Sequence, residues 1–327
     1  MLGRLMRWVY FGIGICILLL ILNNIDFSSV FDLLLMFGWL GFSVVVAVYL
    51  LAFWIDALSW LLAIETAPVS WRWTWKVFTA RMAGEAYNSL IPAAGIGGEP
   101  IKAEILKRRF GVSLKVGGAS LVIAKTVNMI ALVAFLILGF VMILGVEALS
   151  GSVKTLAGFG LATIVSSTAT LFVLQRYKLT SQVARRLAST IKLDWIRRGL
   201  IHLDDIDQIF VSFYRYRGSR FRWSLSLAFI NWLLGVVEIY VVMHFLGYPV
   251  DWTAAWIIEA ATQLMRTAAF FIPAAIGVQE GTFLFICGLL TGNPTLGMAA
   301  ALIRRAREIL WIILGLIYAA ALSTEKE

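Results

Sequence analysis

Long apolar runs broken by short polar clusters organise this chain. A bilayer-crossing helix needs about 20 mostly apolar residues, and such runs occupy residues 9–22, 40–64, 126–146, 155–174, 223–246 and 296–322. The pattern predicts an all-α polytopic membrane protein with about six transmembrane helices. The first run follows Arg4 and Arg7 like a signal sequence, but Asn23-Asn24-Ile25-Asp26 offers no small-residue cleavage site, so it is expected to remain as a span. Residues 26–37, 247–261 and 291–298 contain no lysine or arginine and are expected outside, with both termini on the cytoplasmic side. Residues 175–222 carry a run of basic side chains from Arg176 to Arg222 and read as a cytoplasmic loop. Within that loop Val183, Leu187 and Ile191 recur at helical spacing, as do Ile206, Ile209, Phe210 and Phe213, predicting two short amphipathic helices on the anionic inner leaflet.

Two apolar segments are broken by nearly the same phrase, Ile91-Pro-Ala-Ala-Gly-Ile-Gly-Gly-Glu99 and Ile272-Pro-Ala-Ala-Ile-Gly-Val-Gln-Glu280. A helix breaker (Pro92, Pro273), glycines and an acid are costly in lipid, and a chain that carries them twice reads as a duplicated, transporter-like protein. Arg72, Lys76 and Arg81 precede the first phrase, and Lys102, Lys107, Arg108, Arg109 and Lys115 follow it. Both basic flanks belong inside, so the segment is expected to enter and leave on one face as a re-entrant hairpin, with Glu99 opening its second half-helix. Three spans then separate the phrases, which places the second hairpin on the outer side and makes the repeats, residues 38–146 and 223–322, inverted. Lys125 and Asn128 follow the first phrase at nearly the offset at which Arg305 and Glu308 follow the second.

Charge enters where it is most costly. Arg304, Arg305, Arg307 and Glu308 lie within the last apolar run and cover a little under half of a helix circumference. One such charge at the bilayer centre costs at least about 2.5–3.5 kcal/mol, so the group must face protein or water. One glutamate offsets only part of three arginines, which points to a cationic pocket for an anionic headgroup; an ion-pair network with Glu280 or Glu259 is the alternative. Arg266 shares a helical face with Gln263 and Glu259, and Arg81, Glu85 and Asn88 repeat that spacing before the first phrase. Asp56 and Glu238 are isolated acids in the second and fifth runs, suited either to ion coupling or to pairing with these arginines. Gly277-x-x-x-Gly281 and Gly288-x-x-x-Gly292 read as close helix packing.

Composition agrees with the pattern: hydrophobic residues make up 61% and charged residues 14%, with a mean hydropathy of +0.87. The net charge of +9 concentrates in loops, so nucleic acid is not an expected partner. Cys16 and Cys287 lie in apolar runs and His202 and His244 stand far apart, so neither a disulfide nor a metal site is expected. No Gly-x-Ser-x-Gly, His-Glu-x-x-His, Walker or dinucleotide signature occurs, and neither a cofactor nor an enzymatic activity is expected.

The stretch from Asn88 to Glu99, the stretch from Arg266 to Gly281 and Arg304-Arg-Ala-Arg-Glu308 resemble the flippase-like membrane region of lysylphosphatidylglycerol synthases and its free-standing relatives, most of all the hopanoid-biosynthesis-associated integral membrane proteins of bacteria. The resemblance covers nearly the whole chain and implies a bacterial inner-membrane protein that handles lipids. As a departure from the full-length synthases, the sequence ends a few residues after its last apolar run, and their cytosolic aminoacyl-transferase domain is not expected here. Many relatives carry Arg and Asp where this chain has Lys125 and Asn128. The expected function is a flippase for a polar or anionic-headgroup lipid, such as a phospholipid, glycolipid or polar hopanoid. Its headgroup cavity would be formed by Glu99, Lys125, Arg266, Glu280, Arg304, Arg305, Arg307 and Glu308, supported by Glu85, Asn88, Pro92, Asn128, Pro273 and Gln279. A membrane-embedded lipid-modifying enzyme with Glu99 or Glu280 as general base, and a scaffold that binds lipid-biosynthesis proteins, are the alternatives.

Overall fold

The first long helix begins at Asp26, in a computed structural model that describes residues 12, 14–20, 26–90, 97–147, 149–179, 182, 186 and 203–324. The Asp26 carboxylate accepts from the Ser28 backbone N–H and from the Ser28 and Ser29 hydroxyls, capping helix α1 (Phe27–Ala63). Those serine bonds, Ser29 foremost, hold the Asp26 carboxyl below its ordinary value, so the cap persists to lower pH than a free aspartate would allow. Residues 26–37, expected as an exterior connection, are therefore largely helical. The absence of basic residues bears on the expected side of the membrane and says nothing of the cap. At Gly38 the backbone adopts φ 59° and ψ −177°, which only glycine takes readily, and α1 kinks there.

The remaining helices are α2 (Trp71–Leu90), α3 (Glu99–Phe110), α4 (Leu114–Leu144), α5 (Gly151–Arg176), α6 (Leu203–Val211), α7 (Gly218–Phe245), α8 (Trp252–Ala268), α9 (Val278–Thr291) and α10 (Pro294–Thr324). No strand occurs among the described residues. Five stretches are long and apolar enough to cross a membrane: α1, α4, α5, α7 and the turn plus helix Pro273–Thr291. The exposed Trp39, Leu156 and Phe159 belong on such a lipid-facing surface.

Packing falls into matched pairs when α1 to α4 are exchanged for α7 to α10. Helix α1 meets α2 as α7 meets α8, and α2 meets α3 as α8 meets α9. Likewise α3 meets α4 as α9 meets α10, and α10 meets α1 and α2 as α4 meets α7 and α8. At the centre α1 and α7 pack against each other in opposite directions. Ser59 and Ser224 bond near one end of the pair, and the Phe37 and Phe245 rings meet edge-on at 6.0 Å near the other. The two hairpins, α2–α3 and α8–α9, consequently depart from opposite ends of this central pair.

The apolar core is split in two. One cluster joins the second hairpin to Phe37, Phe135 and Met243; the other joins the first hairpin to Trp60, Ile123 and Trp311. The α6 face expected on the inner leaflet instead turns into the second cluster, where Phe210 and, in the helical turn Ser212–Tyr216 that follows α6, Phe213 are buried. Helix α6 packs against α4 and α5, so protein rather than lipid covers its apolar side. The Val183, Leu187 and Ile191 segment lies outside the described residues.

Candidate functional site

The charged side chains gather between the two apolar clusters, and each half contributes a hairpin and the helix after it. In the second half, Asp251 caps α8 by accepting from the Ala254 N–H, and the helix runs to Ala268 with Arg266 in its last turn. The chain then turns through Ile272-Pro273, with Ala274 and Ala275 at φ 50° and 49°, values that are strained for residues with a Cβ. Gly277, at φ 80°, admits the start of α9, where Glu280 accepts from the Gly277 N–H at 2.8 Å. Gly277 thus serves the turn, and it also packs against the backbone of Gly14 in the N-terminal helical segment.

This turn presents its polar groups to α10. Arg305 bonds Glu280 at 2.5 Å, Glu308 at 2.9 Å and the strained Ala274 carbonyl at 3.1 Å. Arg266 spans Gln279 on α9 and Glu308 on α10 at 2.5 and 2.9 Å. On the inward side of α10, Arg304 reaches Glu259 at 2.6 Å and Glu238 at 3.4 Å, while Arg307 reaches Glu238 at 2.5 Å. Arg307 also lies 3.6 Å over the Tyr49 ring of α1, a cation–π contact that ties the two halves together. Gln263 donates to Glu259 at 2.7 Å and orients it. Four arginines therefore meet four glutamates, Glu238, Glu259, Glu280 and Glu308. The excess positive charge expected in this half is cancelled by acids from α7 and α8 that lie far from α10 in sequence.

The first half is built on the same plan with smaller groups. Glycines at 84 and 98 let α2 and α3 touch backbone to backbone; a Cβ on Gly98 would collide with the Gly84 carbonyl. Asn88 accepts from the Gly98 N–H at 2.7 Å and donates to Glu99 at 3.4 Å. Glu99 is the first residue of α3, where the positive end of the helix favours its charge. Lys102, one turn on, pairs with Glu99 at 2.9 Å and is buried against Gly84. Arg81 pairs with Asp56 of α1 and lies 4.6 Å over the Phe53 ring. Asn128 contributes its carbonyl, which accepts from Trp232 of α7 at 3.3 Å. Pro92 lies outside the described residues, whereas Pro273 opens the short turn described above.

Exposure divides the cluster. Arg304, Arg307, Glu238 and Glu259 are almost completely enclosed, whereas the side chains of Arg266, Arg305, Glu308 and Glu99 retain 31%, 20%, 16% and 20% of their surface. Lys125, in the interior of α4, is exposed. Lys102 was legible only as part of a basic flank; its position three residues after Glu99 was the available sign of pairing. Two grooves, of about 410 and 420 Å³, lie at opposite ends of α7 rather than at the charged layer, one beside Arg220 and Trp223, the other beside Tyr248 and Asp251.

Apolar helices wrapped around a layer of ion pairs define a polytopic membrane protein with a polar interior. The chain belongs to the family of the lysylphosphatidylglycerol synthase TM region, whose sequence profile matches residues 7–316. No curated protein and no solved structure matches it. Membership in that family agrees with a lipid-related role in a membrane.

Proposed function

We propose that this protein is a lipid flippase of the bacterial inner membrane that moves a polar headgroup along the charged layer while the acyl chains stay in lipid, with no catalytic role. The observation that carries the proposal is the antiparallel packing of α1 on α7, with a hairpin leaving each end of the pair. That arrangement supports an inverted repeat of six spanning helices and two re-entrant hairpins, and rocking of one repeat against the other would expose the layer to each face in turn. In this reading both termini are cytoplasmic. Arg266, Arg305, Glu308, Glu99 and Lys125 are the first groups a headgroup meets, and the enclosed Arg304, Arg307, Glu238 and Glu259 hold α10 in place. The layer occupies positions where charges are otherwise excluded, which favours a translocation path over a purely structural role. Polar hopanoids and glycolipids belong to the candidate substrates through the resemblance to hopanoid-associated proteins.

Reconstitution into liposomes with tail-labelled fluorescent lipids tests the proposal. A flippase gives headgroup translocation well above that of protein-free vesicles. The absence of translocation for anionic, zwitterionic and glycosylated lipids alike contradicts it.

A further inference from the structure

The charged layer limits the headgroup that it can admit. It holds seven basic side chains, Arg81, Lys102, Lys125, Arg266, Arg304, Arg305 and Arg307, and as many acidic ones, the four glutamates already named with Asp56, Glu85 and Glu99. Six of the seven cations lie within 4.0 Å of a carboxylate. Lys125 is the exception: among the described residues it forms no ion pair within that distance. It sits roughly 16 Å along α4 from Leu114 by the helical rise, its side chain is exposed, and its charge is felt by Glu85 on α2.

An ammonium group at such depth with no carboxylate at ion-pair distance is costly unless an anion meets it. A lipid phosphodiester is an anion of the right charge and position. The rest of the layer, however, has one more carboxylate than cation once Lys125 is set aside. A headgroup bearing phosphate alone would therefore leave the occupied layer with a net negative charge in a medium of low dielectric, where an uncompensated charge costs several kcal/mol. A headgroup that carries its own cation avoids that cost. Glu99 offers a carboxylate for it: the residue begins α3, its side chain is one-fifth exposed, and Lys102 and Asn88 both lie on one oxygen, Oε1, which leaves Oε2 for the amine.

On the transport reading above, we infer that the headgroup is a zwitterion without net charge, a phosphodiester received by Lys125 joined to a primary amine received by Glu99. Lys125 holds the phosphate common to both kinds of lipid, and the charge balance of the layer, with Glu99 on the amine, sets the preference between them; Arg266 and Arg305 guide entry.

The experiment compares tail-labelled phosphatidylethanolamine with tail-labelled phosphatidylglycerol in proteoliposomes of phosphatidylcholine, using the full chain and its Lys125→Gln variant. The expected result is phosphatidylethanolamine moving at least ~10-fold faster, because an uncompensated charge in the layer is worth at least that factor. Lys125→Gln removes the partner of the phosphate and leaves the layer one charge more negative, so it is expected to slow both lipids and to widen that ratio by at least ~3-fold at an unchanged melting temperature, since the side chain is exposed and makes no ion pair among the described residues. Phosphatidylglycerol moving as fast as phosphatidylethanolamine overturns the inference and leaves the transport reading intact. An unchanged or reduced ratio in Lys125→Gln overturns the role given to that residue. If neither lipid moves faster than in protein-free vesicles, the transport reading fails, and the inference with it.

Discussion

Arg304 of α10 and Glu259 of α8 meet at 2.6 Å although 45 residues separate them in the chain. Both side chains are almost wholly enclosed, at 3% and 2% exposure, so each charge depends on the other for its stability in the interior. The contact locks the helix that follows the second hairpin to the helix that opens it. The same logic joins Arg307 to Glu238 and Arg81 to Asp56, and in this way a layer of charges can persist between two apolar clusters.

Breaking this pair from one side should be severe. Arg304→Met strands Glu259 and is expected to lower stability by about 3–5 kcal/mol, the usual consequence of an unpaired buried charge. The double variant Arg304→Met with Glu259→Gln removes both charges and should recover more than half of the loss. Melting temperatures in detergent check this; a double variant no more stable than the single one would show that the pair is not the source of the effect.

Arg305 differs from Arg304 because a fifth of its side chain is open and it also holds the Ala274 carbonyl of the strained turn. Arg305→Gln is expected to reduce lipid translocation at least ~10-fold, equivalent to about 1.4 kcal/mol, while the protein still purifies as a folded species. Normal translocation by this variant would remove the exposed arginines from the path.

The two hairpin glycines should respond differently to a methyl group. On Gly98 a Cβ meets the backbone carbonyl of Gly84, which cannot move without opening the hairpin. On Gly84 the obstacle is the Lys102 side chain from Cγ outward, which can swing aside only by giving up its pair with Glu99 but involves no backbone atom. Gly98→Ala should therefore cost more than Gly84→Ala, by about 1–3 kcal/mol, read as yield and melting temperature; equal effects would argue against the close backbone contact.

The start of a helix at each acid and the charged face of the last helix were legible in the sequence. Glycine and an acid in an apolar run are local signals: Glu99 does open a helix, Glu280 lies in the first turn of another, and Arg304 to Glu308 do face protein. The charge balance was legible only as an alternative: Glu259, Glu280 and Glu238 were open as partners of the arginines, but they lie on other helices, and nothing in the sequence around Arg304 and Arg307 says which helix packs against them. Lys102 escaped notice for the opposite reason: a lysine among basic neighbours reads as interfacial, and only the glycine-permitted approach of α2 buries it. The extension of α1 to Phe27 depended on one aspartate and two serines, a cap that hydropathy does not register.

The central claim is that the two halves are inverted around one shared charged layer. Ser113, which caps α4, and Tyr248, which lies between α7 and α8, are both exposed and fall on opposite faces of the membrane in this account. In a background lacking Cys16 and Cys287, a membrane-impermeant maleimide applied to intact cells should label Tyr248→Cys at once. It should label Ser113→Cys only after the inner membrane is opened. Labelling of both positions from the same face would contradict the inverted arrangement and the transport mechanism built on it.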